Sequence, residues 1–153
     1  MVQSQQDNLE RDVLHLLHPA VIHFPITLLL LNGLLTLIFL RRPDPVLERS
    51  AYGALVLGWW GALVATITGV LATAVQWPVQ DDHLFWVNAH AVLGGVLLLV
   101  YGRALLMRRR DPQILHSQHR RAYLLLLLIG MLLVVTSGWT GGHLVYQLGI
   151  GVR

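Results

Sequence analysis

The chain has 153 residues, of which 55% are hydrophobic and 12% charged, with a net charge of +3 at neutral pH. Four long apolar runs in so short a chain specify one integral membrane domain, and a soluble core is not needed. The basic residues flank apolar runs instead of forming a water-facing patch, which excludes a nucleic-acid role. All eleven basic residues are Arg, and the lack of Cys excludes disulfides, cysteine-ligated iron–sulfur clusters and thioether-bound haem.

Residues 1–17 open with the polar stretch MVQSQQDN. Leu9, Val13, Leu16 and Leu17 then recur at helical spacing, with Glu10, Arg11 and Asp12 elsewhere. Two readings stand: a short amphipathic helix on the membrane surface, or a plain lead-in to the first span. A cleaved signal peptide is not expected, because Asp7, Glu10 and Asp12 replace the basic patch such a segment carries. The first span runs from His18 to Leu40 (HPAVIHFPITLLLLNGLLTLIFL). His18 and His23 are five residues apart, hence about 7.5 Å apart in depth and about 140° apart in direction on a regular helix. Both can face one partner only where the helix is distorted. Pro25 is the expected place, because it lacks an amide and crowds the Val21 carbonyl.

Further spans are predicted at 51–75, 84–107 and 122–140, each near the ~20 residues that cross hydrocarbon. The fold class is therefore an all-α membrane protein, an up-and-down four-helix bundle over 18–140. Residues 141–153 are expected to leave the fourth helix at Gly141-Gly142 as an outer C-terminal segment. Three Arg fall in 41–50 and six in 103–121, against none in 76–83 and one at each terminus. The positive-inside rule then places both termini outside the cytoplasm. Trp77, Trp86 and Trp139 are expected in an outer aromatic belt, and Tyr52, Tyr101 and Tyr123 in an inner one. Gly61, Ala65, Gly69 and Thr73 form a small-residue face for close helix contact, as do Gly130, Gly138 and Gly142 with Val134 between them. No sequence repeat is evident.

The histidines carry the chemistry. His116 and His119 belong to the Arg-rich inner loop, whereas His15, His18, His23, His83, His90 and His143 all map to the outer side. His83 lies at the interface and His90 on the same face, two turns deeper in hydrocarbon. His23 and His90 enter hydrocarbon at similar depth from different helices, as axial ligands of one b-type haem do, and Gly94, one turn below His90, gives a porphyrin room. His18, His83 and His143 surround that pair. Arg11 and Arg153 are the outer arginines for the propionates. Two other arrangements remain: each His bonded to a nearby carbonyl such as that of Val21, or zinc or copper held by three outer histidines.

HPAVIHFPI in the first span, His90 in the third and GGHLVYQLGIGV at the end resemble the domain-of-unknown-function 2231 family of small bacterial four-helix membrane proteins. His18, Pro19, His23, Phe24, Pro25, His90, Gly141, Gly142, Leu144, Val145, Tyr146, Gly149, Gly151 and Val152 match the family pattern. The resemblance implies a four-span protein of the bacterial inner membrane. Some members are fused to Rieske-type iron–sulfur domains, so it also implies electron transfer, here with a redox partner on a separate chain. Two function classes follow. One is a haem b electron-transfer subunit working with the quinone pool and partner chains; the other is an accessory subunit of a larger membrane complex, with no cofactor.

Overall fold

Backbone groups in hydrocarbon have no water to bond, so each apolar run must satisfy its own amides and carbonyls, which a helix does within one segment. The computed structural model contains four helices, α1 (Val2–Arg41), α2 (Pro45–Val75), α3 (Asp81–Arg110) and α4 (Arg120–Tyr146), with no strand among the described residues. It describes residues 2–75 and 80–150, with side chains from residue 17 onward apart from those of residues 75 and 82. Leu17–Arg41, Pro45–Ala74, His83–Arg110 and Arg120–Tyr146 are long and apolar enough to cross a membrane. The four-span, all-helical expectation is met.

The helix α1 is continuous from Val2 through Pro19 and Pro25, so residues 2–17 lead into the span on the same helix. The side chains of Leu9, Val13 and Leu16, which carried the amphipathic pattern, lie outside the described residues. Between α1 and α2 the chain turns at Pro43 and Asp44. The Asp44 carboxylate accepts the Val46 amide at 2.7 Å, and Pro45 begins the helix, where its missing amide costs nothing.

Sequential helices are antiparallel. Asn32 Nδ2 donates to the Ala51 carbonyl at 2.9 Å, Trp59 Nε1 to the Leu98 carbonyl at 3.0 Å, and Arg108 is paired with Glu48 at 2.6 Å. The helices form a ring in chain order, with α1 closest to α2 and α3 closest to α4, while the two diagonal pairs make no backbone contact. Leu29, Leu55, Ala62, Leu97, Leu127 and Val134 fill the interior. Leu57, Trp60, Ile67, Val92, Leu99 and Val135 point outward, as hydrocarbon permits.

Three expectations change. The helix α4 does not end at Gly141-Gly142 but continues to Tyr146, and the chain turns at Gly149, whose φ is 66°. Gly141 serves packing inside the helix, against the ring of His90. Tyr101 and Tyr123 are not an inner belt: they are 0% and 3% exposed, inside the bundle. Tyr101 occupies space left by Gly130, where an added Cβ would lie 2.6 Å from its ring. Position along a helix does not say which way a side chain points. Finally, Gly61 and Gly69 do pack on α1, against Phe24, Pro25 and His18, whereas Gly138 and Gly142 meet no other helix; Gly130 and Gly141 are the packed glycines of α4.

The hairpins α1–α2 and α3–α4 nevertheless share a pattern of burial at an offset of 72, the separation of Leu29 and Tyr101. At that offset Pro25, Leu29, Asn32 and Gly33 correspond to Leu97, Tyr101, Ala104 and Leu105, all eight buried, and Ala51, Leu55, Gly58 and Ala62 to Tyr123, Leu127, Gly130 and Val134, again all buried. Gly58 makes room for Leu29 as Gly130 does for its counterpart Tyr101. Tyr101 Oη donates to the Leu29 carbonyl at 3.5 Å, so these equivalent positions meet across the bundle. Equivalent residues that touch lie on the axis relating the two halves. The paired positions agree in burial but not in identity or size, as Gly33 with Leu105 and Ala51 with Tyr123 show, so the correspondence is invisible in the linear chain.

Candidate functional site

The end of that axis away from the Arg-rich connections is occupied by histidine. His18 comes from α1 and His90 from α3, another pair at the same offset, and their ring centroids are 6.3 Å apart with planes at 79°. Each ring leans on the neighbouring helix of its own hairpin. His18 Nδ1 lies 2.9 Å from the Ala65 carbonyl and 3.3 Å from Thr68 Oγ1; His90 Nδ1 lies 3.1 Å from Thr140 Oγ1. The threonines are also equivalent, each 50 residues after its histidine.

The donor count settles the tautomers. Thr68 gives its hydroxyl proton to the Ala65 carbonyl and Thr140 gives its own to the Ser137 carbonyl. Both hydroxyl oxygens, and the Ala65 carbonyl, are then acceptors for imidazole, so each Nδ1 carries the proton and donates. Each Nε2 keeps its lone pair and has no protein hydrogen-bond partner among the described residues. This is the arrangement in which a second hydrogen bond orients an imidazole whose other nitrogen is a ligand.

Glycine follows each threonine. A Cβ on Gly69 would lie 2.9 Å from His18 Cε1, and one on Gly141 3.0 Å from His90 Cε1. The dipeptides Thr68-Gly69 and Thr140-Gly141 thus do the same two jobs in α2 and α4: the hydroxyl orients the ring and the missing side chain admits it. That explains why Gly141 sits inside a helix at a cost of ~1 kcal/mol in propensity.

The other candidates are placed differently. His23 is exposed on the outer surface of α1. The expected pairing of His23 with His90 therefore gives way to His18 with His90. The helix runs on through Pro25, and the ~140° between the two α1 histidines leaves room for only one of them on the axis. His18 takes its bond from α2, not from the Val21 carbonyl. His143 belongs to an aromatic group at the same end of the bundle, 4.3 Å from the Trp86 ring centroid and 5.8 Å from that of Trp139. His83 is half-buried and engaged in a contact of its own. Gly94 faces open space, with nothing within 4 Å of an added Cβ. His15, Arg11, Arg153 and Trp77 lie outside the described side chains. Among the described residues no three of His, Cys, Asp and Glu converge, so a zinc or copper held by three histidines has no counterpart there.

The profile of a family described as predicted membrane proteins, DUF2231, matches residues 14–153. The chain belongs to the DUF2231 family. The matched region takes in both hairpins, and with them His18, His90 and both Thr-Gly dipeptides. No curated protein and no solved structure matches this DUF2231 chain. Thr68, Gly69 and Thr140 were absent from the expected site. The signal for them was the recurrence of Thr-Gly at a constant distance after an intramembrane His.

Proposed function

We propose that the protein is a membrane electron-transfer subunit holding one b-type haem between His18 and His90, at the outer end of the axis relating its two hairpins. The observation that carries this reading is the pair of oriented imidazoles, each with a free Nε2, 6.3 Å apart between ring centroids. Two imidazoles bound to one metal through bonds of ~2.0–2.1 Å have centroids ~6 Å apart, so His18 and His90 would be the residues that hold a single iron. When bound, the haem supplies one-electron chemistry. The residues of the chain fix ring orientation through Ala65, Thr68 and Thr140, exclude water with the surrounding apolar helices, and leave space beside Gly94 for a flat macrocycle.

The reading supports a single site. The equivalent inner position on the axis is filled by Tyr101 against Leu29 and Gly130, which leaves no second pair of ligands. The setting is the bacterial inner membrane, with the quinone pool and separate protein chains as electron partners.

One observation also favours an accessory subunit without cofactor: the same imidazole bonds clasp α1 to α2 and α3 to α4 unaided. The dithionite-reduced minus oxidised visible spectrum of protein purified from haem-replete cells separates the two. We expect sharp low-spin bands in the wild type and in His23→Ala, and their loss or conversion to high-spin bands in His18→Ala and His90→Ala. A colourless wild type favours the clasp; a coloured His18→Ala with unchanged bands removes His18 as a ligand.

A further inference from the structure

At the opposite, Arg-rich end the molecule has a cleft of about 270 Å³ lined by Arg103, Met107, Arg110, Asp111, Ile114 and His119. Arg103, Met107 and Arg110 follow one another at spacings of four and three, hence on one face of α3, and Ile114 forms a buried floor. Both arginines are exposed, and neither has an ion pair or hydrogen bond among the described residues. The Asp111 carboxylate instead accepts the Gln113 amide at 3.1 Å. Arg108, one face away, behaves otherwise, being spent on Glu48.

At the offset that relates the hairpins, Arg103, Met107 and Arg110 correspond to Leu31, Leu35 and Ile38. The first hairpin therefore meets lipid with an unbroken apolar surface at the level where the second presents two unpaired guanidiniums. Arg103 lies ~10 Å deeper along the helix than Arg110, within reach of the headgroup layer by snorkelling. A mixed cleft of this kind, apolar below and cationic at the rim, complements an acidic lipid headgroup with its acyl chains alongside α3. Its volume falls just short of the range for whole drug-sized ligands, as suits a headgroup alone.

We propose that this cleft binds the phosphate headgroup of an anionic phospholipid, gripped by Arg103 and Arg110, with Met107 and Ile114 against its glycerol and upper acyl carbons. Purified protein in neutral detergent is titrated with dihexanoyl-phosphatidylglycerol, dihexanoyl-phosphatidylcholine or inorganic phosphate while the thermal unfolding midpoint is followed. A saturable rise is expected with phosphatidylglycerol alone. In Arg103→Gln/Arg110→Gln the half-saturating concentration should rise at least about tenfold, from the worth of two arginines near a charged surface, whereas Arg41→Gln/Arg42→Gln should stay within about twofold of wild type. An equal response to phosphatidylcholine, an equal response to inorganic phosphate, or an equal loss in the Arg41/Arg42 variant overturns the proposal: the first shows apolar solvation, the second a free-anion site, the third a diffuse charge effect.

Discussion

At Gly69 and Gly141 the absence of a side chain is tied to one neighbour each, the imidazole of His18 and that of His90. Overpacking of this order costs about 1–3 kcal/mol, so Gly69→Ala and Gly141→Ala should each lower stability by that amount. The cause can be isolated, because removing the imidazole removes the clash. In a His18→Ala background the cost of Gly69→Ala should nearly vanish, and likewise for Gly141→Ala with His90→Ala. Additive losses in detergent unfolding would show that the glycines matter for some other reason. That His18, His83, His90 and His143 share one end of the bundle was legible in the sequence. The choice between His18 and His23 was not, because five residues on a helix rotate a side chain away from its predecessor, and the direction that counts is set by α2 and α3, not by α1 itself.

Each element had to be satisfied twice, internally against hydrocarbon and laterally against its neighbours. The spans were readable because apolar length and flanking Arg report the first requirement directly. Lateral contacts were readable only in part: the small-residue face of α2 was correctly expected against another helix, while in α4 a four-residue rhythm of glycines was followed one step out of phase, missing Gly141. The α2–α3 contact has a further tie that charge counting concealed. Arg108 and Glu48 meet with side chains 10% and 21% exposed, and Arg108 stands over the Tyr52 ring at 5.9 Å. Breaking one partner strands the other charge at the membrane edge, so Arg108→Met should destabilise by about 3 kcal/mol. Glu48→Gln/Arg108→Met should recover most of that loss, since the pair stabilises little once both desolvation costs are counted. Equal instability of the single and double variants, measured by thermal unfolding in detergent, would point to the packing of the Arg108 stem instead.

Taken whole, the molecule is a pair of hairpins with matching burial, whose two ends differ in character. One end carries the His18–His90 pair and both termini; the other carries the 42–44 and 111–119 connections, the unpaired arginines and the lipid cleft. Which end faces the cytoplasm decides which compartment can exchange electrons with the proposed haem. Arg108 is neutralised by Glu48, yet eight other arginines remain in the two connections and their flanks against two at the termini, so the bias still predicts that end inside. Alkaline phosphatase fused after Arg153 should therefore be active, and fused within 113–118 inactive, with a cytoplasmic reporter giving the opposite pattern. Inactive phosphatase at the C-terminus together with an active cytoplasmic reporter there would invert the molecule. The histidine pair would then face the cytoplasm, and its electron partners would have to be sought on that side, although the pair itself, fixed by contacts within the bundle, would stand unchanged.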